Sequence, residues 1–307
     1  MSRVVIVGGG ISGLALAYRL EQLAPSAEVI VLERRDRVGG TVGTIERDGF
    51  RVETGPNGFL DNNPSTLTLC RDLGLADRLV PASESARRNR FLFLKGRLRK
   101  LPTGLFSFLS SGVLSWRGKL ALLTERFRRP RPDLADESID AFARRRTNDE
   151  VADTLVDAFV TGIHAGDPAL LSFPAAFPRL AELEREHGSL SRGMAAARKK
   201  RLAEAKARGE TPRRGLRTWS FREGLGLLID SLRQRLRRPP VSGVVVRRVE
   251  RNAGSSSWRV EGEGQDRWQA DAVVLACPAY QQASILADLD AELADQIGGI
   301  VYNRVAV

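Results

Sequence analysis

The residues with the clearest chemical meaning are three glycines near the amino terminus, which have the spacing G-x-G-x-x-G at Gly8, Gly10 and Gly13. They lie between an apolar run, 3–7, and an amphipathic stretch, 11–24, so the pattern predicts a turn between a buried strand and a helix. The first glycine permits a tight turn, the second lets a phosphate approach the backbone, and the third allows close packing of helix on strand. The helix start then favours a pyrophosphate. The residues that this motif assigns to a dinucleotide are Gly8, Gly9, Gly10, Ile11, Ser12 and Gly13.

An acidic residue, Glu33, closes a second apolar run at 28–33, which predicts another strand. The two strands and the helix between them form a β-α-β unit, and such a unit predicts a parallel sheet. A carboxylate at the end of the second strand accepts hydrogen bonds from ribose hydroxyls and repels a 2′-phosphate. The sequence therefore predicts a site for the ADP part of a cofactor other than NADP.

A second glycine-rich segment, Arg37-x-Gly39-Gly40-Thr41, follows the acidic residue directly. It resembles the second glycine motif of two-domain FAD enzymes of the amine-oxidase type, which NAD dehydrogenases lack. Adjacent glycines let the chain pass close to a pyrophosphate and an isoalloxazine ring. The segment therefore favours FAD and adds Arg34, Gly40 and Thr41 to the predicted cofactor residues.

The remaining pattern predicts a helical middle and a strand-rich end. Asp136 or Ser138 and Asn148 are suitable N-caps for two of the helices, and the basic stretch 193–214 is expected to be a solvated helix or a connector. The predicted helices are 63–75, 103–127, 137–146, 149–163, 193–214, 224–237 and 279–298; the predicted strands are a hairpin over 90–102 that turns at 95–96, 244–246, 258–260, 270–276 and the opening of a strand in 301–307.

Composition narrows the class of protein. The net charge of +11 comes almost entirely from scattered arginines, and no zinc-finger, RRM or helix-turn-helix pattern accompanies it. We therefore expect anionic partners but no nucleic acid. Two cysteines and two histidines, without metal-binding spacing, predict no metal site. No apolar window is long enough for a membrane span, and the amino terminus does not resemble a signal peptide, so we expect a cytoplasmic protein.

Several distinctive strings follow further along the chain. They are G-F-R-V-E-T-G-P-N-G-F-L at 49–60, N-R-F-L at 89–92 with L-P-T-G-L at 101–105, G-I-H-A-G-D-P at 162–168, A-F-P at 176–178, E-L-E-R-E-H-G-S at 182–189, F-R-E-G-L at 221–225 and A-D-A-V-V-L-A-C-P at 270–278. Together they resemble one family, the oxygen-dependent protoporphyrinogen/coproporphyrinogen oxidases of haem biosynthesis, and the resemblance covers essentially the whole chain. Family members often have glycine and threonine where this sequence has Glu223 and Cys277.

The resemblance implies oxidation of a porphyrinogen to the porphyrin in three two-electron steps, each passing a hydride to flavin N5, with O₂ as the final acceptor. The cofactor carries that chemistry, so no protein residue is assigned a catalytic role. The implied fold is α/β, a Rossmann-like FAD-binding domain with an inserted, mostly helical domain and part of a β-sheet substrate domain. The expected segments are 1–85 and 216–285 for FAD binding, 86–215 for the helical substrate domain, with a membrane-associating role left open, and 286–307 for the start of the substrate-domain sheet.

The resemblance also implies roles for individual residues. Gly55, Pro56, Asn57 and Gly58 would pass the flavin ring, and Val246 would contact the adenine side. Arg90 would bind a substrate propionate, and Gly162 and Gly166 would let the backbone approach the macrocycle. Each assignment has a structural alternative: a core position for Val246, an ordinary surface arginine for Arg90 and helix stops for the two glycines. His164 is left without a role.

Partners and competing functions stay open at this level. The apolar stretch 105–116 is either helical core or a patch that dips into a bilayer, so peripheral attachment to the inner face of the membrane competes with a purely cytoplasmic location. A porphyrinogen, O₂ and other haem-pathway enzymes are the expected partners; protoporphyrinogen and coproporphyrinogen are not distinguished. The family's carboxy-terminal segment that returns to FAD is not found. The alternatives are therefore another amine-oxidase-type FAD oxidoreductase, an inactive fragment, or a non-catalytic binding protein on this fold.

Overall fold

The computed structural model describes residues 2–131, 135–209, 216–252, 254–303 and 305. The chain divides into two compact units. The first unit is formed by Met1–Ala82 together with Leu216–Val307, and the second unit by Ser83–Gly215.

The elements of both units follow in chain order. The strands are β1 (Arg3–Val7), β2 (Glu28–Glu33), β3 (Thr44–Arg47), β4 (Phe50–Glu53), β5 (Phe59–Leu60), β6 (Leu79–Pro81), β7 (Phe91–Leu94), β8 (Arg97–Lys100), β9 (Thr218–Phe221), β10 (Val241–Ser242), β11 (Val246–Arg251), β12 (Trp258–Gly262), β13 (Arg267–Ala270) and β14 (Ala272–Leu275). The helices are α1 (Ile11–Leu23), α2 (Pro64–Asp72), α3 (Glu84–Arg88), α4 (Leu105–Ser110), α5 (Trp116–Thr124), α6 (Ile139–Arg146), α7 (Asp149–Val151), α8 (Asp157–His164), α9 (Phe173–Ala176), α10 (Pro178–His187), α11 (Leu190–Ala207), α12 (Gly226–Arg235), α13 (Ala279–Leu286) and α14 (Ala291–Gly298).

A four-stranded parallel sheet, in the order β10-β2-β1-β14, organises the first unit. Its central strand β1 is buried on both faces. Ile6 packs on one side with Leu14 of α1, and Val5 and Val7 pack on the other side with Ile285 of α13. A strand covered on both faces must be apolar throughout, which is why its sequence does not alternate. The predicted β-α-β unit, parallel sheet and α/β class are confirmed.

Smaller antiparallel sheets surround it, in the orders β11-β12-β13, β5-β9-β6 and β3-β4. The strand expected over 270–276 is confirmed as β14, over Ala272–Leu275, but Ala270 belongs to β13 and the chain bends between the two strands at Asp271. Its carboxylate accepts a hydrogen bond from the Arg3 amide at 2.6 Å, and its own amide donates to the Arg3 carbonyl at 2.8 Å. The helix expected over 279–298 is two helices, the second capped by Asp290. The described residues of 301–307, which are 301–303 and 305, form no strand.

The second unit is mainly helical. Ser138 and Asn148 cap α6 and α7, as predicted, and the hairpin β7-β8 turns at Lys95 and Gly96. The helix expected over 193–214 begins earlier, at Leu190, and its last five residues lie outside the described part of the chain. A turn of π-helix at Ala152–Val156 leads into α8. Within the described ranges, no helix has both the length and the apolar character that a bilayer crossing requires.

A buried ion pair holds three parts of this unit together. Arg146 is only 1% exposed, and its Nε donates to Glu125 Oε1 at 2.9 Å. Glu125 also accepts from the Ser189 hydroxyl at 2.9 Å and from the Ser191 amide at 3.0 Å, at the start of α11. Burial raises the pKa of Glu125, but the hydrogen bonds from Ser191, Arg146 and Ser189 outweigh it and bring the pKa to about 2. The carboxylate is therefore strongly preferred in its ionised form.

We expect Glu125→Gln to lower the free energy of unfolding by about 3 kcal/mol at neutral pH, because the buried guanidinium of Arg146 loses its shorter ion pair and keeps only that with Glu184, at 3.2 Å. The folded-state pKa lies below the ordinary value of 4.5, so this stabilisation is present above pH 4.5 and is lost as the pH falls toward about 2. Urea titrations at several pH values measure both effects, and the variant should show the smaller acid dependence. Glu182→Gln, an exposed change on α10, serves as the control, with an expected change within about 0.5 kcal/mol. Equal effects for the two substitutions would contradict the prediction.

Candidate cofactor site

The glycine turn after β1 is a close contact between backbone segments. Gly8 has a φ of +117°, and a Cβ placed on it would lie 2.8 Å from the carbonyl carbon of Ala276. A Cβ on Gly13 would lie 1.9 Å from the Gly8 carbonyl oxygen. Gly10 differs, because its backbone is extended and a Cβ there would have only the Gly40 Cα nearby, at 4.0 Å. Two of the glycines are therefore required by packing, and Gly10 leaves open space.

The helix that follows begins without a side-chain cap. Helices α2, α6 and α11 begin with an Asn or Ser side chain that accepts a backbone amide, but the N-cap of α1 is Gly10, which has no side chain. The first turn of α1 also lacks an acidic residue. Because first-turn amides have no acceptor within their own helix, the amides of Ile11, Ser12 and Gly13 suit a phosphate group.

The second glycine segment lies directly against this turn. The Gly39 amide donates to the Gly9 carbonyl at 2.7 Å, and Gly39 forms an isolated parallel bridge with Gly10. Gly39 and Gly40 both have positive φ, at +109° and +61°, which L side chains rarely adopt. The guanidinium of Arg35 donates to the Gly40 carbonyl at 3.0 Å. The two motifs, separate in sequence, thus form one backbone surface.

Glu33 is held in a single orientation beside this surface. It is 6% exposed, and its two carboxylate oxygens accept the amides of Gly9 at 2.8 Å and Arg35 at 2.9 Å. Each oxygen retains a further lone pair, so the group still has acceptor capacity for two ribose hydroxyls. Gly9, which was predicted to contact the cofactor, positions the acid through its amide.

A cavity of about 800 Å³ lies in front of these groups, within the first unit. Nine of the fifteen predicted cofactor residues line it: Gly8, Gly10, Ile11, Ser12, Glu33, Arg34, Gly40, Thr41 and Val246. Gly55 packs behind it, since a Cβ there would lie 2.1 Å from the Thr41 carbonyl oxygen, and Gly58 packs against β9. Pro56 and Asn57 are exposed outside the cavity lining. The structure therefore brings together the two glycine motifs and the acid, but not the 55–58 segment.

Sequence reasoning missed the far wall of the cavity. Residues 244–245 and 276–278 line it, as do Tyr280, Ser284 and Tyr302. The sequence predicts the strand that leads into Cys277-Pro278 but assigns it no part in the site. Because this strand is parallel to β1, it ends at the same edge of the sheet as the glycine turn, and this could have revealed the wall. Burial raises the pKa of the Cys277 thiol to about 11, and the charge of Glu33 adds to the rise. This thiol is neutral at physiological pH and lacks the thiolate character of a nucleophile.

The predicted substrate residues belong to the second unit. Arg90 is exposed immediately before β7. Gly162 lies inside α8 and is not a helix stop, because the helix continues to His164 and ends at Ala165 with a left-handed φ of +49°. A Cβ on Gly162 would meet nothing within 4 Å. The ring of His164 packs edge-on against Phe177 at 5.2 Å, and its Nε2 has no hydrogen-bond partner among the described residues.

The family follows from comparison with known sequences. The model of the family described as "Flavin containing amine oxidoreductase" matches residues 11–307. The chain belongs to this family. FAD is accordingly its cofactor, and the open space at Gly10, the uncapped start of α1 and the oriented carboxylate of Glu33 fit the phosphates and ribose of that group.

Individual relatives are more specific. A chloroplastic protoporphyrinogen oxidase from Nicotiana tabacum is 36% identical across 98% of this chain and 55% of its own length. The coproporphyrinogen III oxidase of Bacillus subtilis is 30% identical across 94% of this chain and 62% of its own length. A crystal structure assigned as a protoporphyrinogen oxidase, from Exiguobacterium sp. 255-15, superimposes with a TM-score of 0.76 at 26% identity, covering 96% of this chain and 63% of that one. The chain thus spans little more than half the length of the curated relatives.

We expect Gly10→Val to abolish FAD binding without unfolding the chain. The extended backbone of Gly10 accepts a side chain, but isopropyl carbons would fill the space that the pyrophosphate needs. Retention of flavin after gel filtration, read from the visible spectrum, measures the effect. Gly104→Val is a matched control, because Gly104 is also an extended helix N-cap with free space around its Cβ and lies in the second unit. Unchanged flavin content in Gly10→Val would refute the placement of the phosphates.

Proposed function

We propose that this chain carries out FAD-dependent oxidation of a porphyrinogen to the porphyrin, with O₂ as the acceptor, as a step of haem biosynthesis. The observation that carries the proposal is the cavity in which both glycine motifs and Glu33 converge, in a chain whose relatives are named protoporphyrinogen and coproporphyrinogen oxidases. Both porphyrinogens are candidate substrates, because relatives with either name match almost the whole chain.

The protein's own part in the reaction is to bind and orient. When bound, FAD supplies the two-electron redox chemistry that the protein side chains lack. The amides at the start of α1 would hold the pyrophosphate, and Glu33 would accept the ribose hydroxyls. The neutral thiol of Cys277 adds no charge next to the bound phosphates.

Features of the second unit suit a flat, apolar ring that carries propionates. Phe159 and Ile163 are exposed four residues apart on α8, and Gly162 lies beside them with open space in front of it. We assign these residues to the substrate face, since a glycine without a side chain, next to exposed apolar side chains, leaves room for a macrocycle. Arg90 is assigned to a propionate, because a guanidinium pairs well with a carboxylate. Gly166, directly after the end of α8, is assigned to the same face.

Exposed apolar side chains also support peripheral contact with a membrane. Phe106 of α4 is 86% exposed, and Leu105 and Trp116 nearby are largely exposed too, whereas Val113 and Leu114 in the same stretch are buried. The stretch 105–116 therefore divides between core and surface. We propose that its surface part touches a bilayer in which a poorly soluble porphyrinogen is stored, with the chain otherwise facing the cytoplasm.

The flavin spectrum of the purified 307-residue chain, loaded with FAD, tests the reaction. Under anaerobic conditions, protoporphyrinogen IX or coproporphyrinogen III should reduce the flavin and bleach its visible band. Admission of air should restore the band. The corresponding porphyrins serve as controls, because they are already oxidised and cannot reduce the flavin. A flavin band that neither porphyrinogen bleaches would refute the proposed function.

We expect Arg90→Ala to raise the KM for a porphyrinogen about 10-fold with a smaller change in kcat, because the lost partner is a propionate remote from the oxidised carbons. Steady-state kinetics by porphyrin fluorescence measures both constants. Arg97→Ala removes an exposed arginine from the neighbouring strand β8 and is the control for general loss of positive charge. If the two variants changed KM equally, the assignment of Arg90 would be wrong.

A further inference from the structure

Tyr302 lies on the wall of the cofactor cavity, after the end of α14. Its hydroxyl oxygen accepts a hydrogen bond from the amide of Ala279, the first residue of α13, at 3.0 Å. Its ring meets Tyr280 edge-on, with ring centres 5.4 Å apart, and Tyr280 lines the same cavity. Two contacts therefore fix the position of a side chain that has no role so far in the site.

The hydrogen bond with Ala279 uses only half of what the hydroxyl offers. A phenol has one O–H donor as well as acceptor lone pairs, and here the oxygen acts as the acceptor. Within the described part of the chain, no acceptor pairs with the remaining hydrogen. The side chain is 53% exposed, so this hydrogen is accessible from the cavity that the residue lines. Donation by the Ala279 amide also polarises the hydroxyl and makes it a better donor.

The place of this hydroxyl in the cavity indicates what it would bind. The start of α13 follows directly on Ala276 and Cys277, whose backbone atoms would touch a Cβ on Gly8 at 2.8 and 2.9 Å. The side chain of Gln282 holds the same turn by donating to the Cys277 carbonyl at 2.6 Å. The hydroxyl is thus anchored to the element that borders the phosphate turn, on the side of β1 where β14 pairs, whereas Glu33 ends β2 on the other side of β1.

We propose that Tyr302 is a cofactor-binding residue that donates a hydrogen bond to the ADP part of FAD, at a phosphate oxygen or a ribose hydroxyl. The inference rests on FAD as the cofactor of the proposed function. It gives the cavity a donor beside β14 and α13, in addition to the acceptor that Glu33 provides at the end of β2, and it makes the segment after α14 part of the site. A tyrosine that only capped α13 would stabilise the protein without affecting the cofactor.

The test is Tyr302→Phe, which keeps the ring and removes the hydroxyl. FAD affinity is measured for the apoprotein by the change in flavin fluorescence, and ADP is titrated as a competitor. We expect the Kd values for both FAD and ADP to rise about 10-fold or more, as for loss of a hydrogen bond to a charged group. Tyr18→Phe is the matched control, since its hydroxyl contacts the Asp72 carbonyl in the core, and its Kd values should be unchanged.

The outcomes separate this inference from the proposed function. If the unaltered chain binds neither FAD nor ADP, the cofactor role itself fails. If the unaltered chain binds FAD and Tyr302→Phe binds FAD and ADP with the same Kd values while its apoprotein melts at a lower temperature, the residue is only a helix cap and the inference is overturned. A loss of FAD affinity with an unchanged Kd for ADP would also overturn it, because the contact would then lie outside the ADP part.

Discussion

The site depends on backbone lying against backbone at the carboxyl ends of β1 and β14. The turn at Gly8 lies so close to Ala276, and α1 so close to the turn through Gly13, that neither position has room for one methyl group. This close approach places the start of α1 over the ends of the parallel strands, where oriented amides meet a ligand. The cavity exists because three segments come together without side chains between them.

Local sequence was sufficient for most of this arrangement. The strands Arg3–Val7 and Glu28–Glu33 and the helix between them were predicted within one residue, because their apolar periods are regular and glycines mark the turn. The two glycine motifs and Glu33 meet at one cavity, as a parallel sheet requires. These features are encoded within a single short stretch of chain.

The rest required information that local patterns do not contain. Asp271 breaks an apolar run because it pairs with Arg3 at the other end of the chain, and no periodicity reveals such a partner. Tyr302 was expected to lie in the opening of a strand, but its hydroxyl instead accepts a hydrogen bond from Ala279 at the start of α13. The sequence left open that Gly162 ends a helix, but α8 continues past it and ends at Ala165, which has a left-handed backbone conformation. In each case a distant contact or an unusual backbone angle decided the outcome.

The pairing of β1 with β14 has a consequence for how the protein matures. Residues 4–7 pair with residues 272–275, so the wall of the cavity that β14 and α13 provide is absent until this distant segment has been synthesised. Residues 83–215 form their own compact unit and emerge earlier, so they can fold before this closure. Joining such distant strands is slow, since the loop between them must be ordered first. A complete flavin cavity therefore requires this long-range pairing, and FAD, which binds the paired form, stabilises it by mass action.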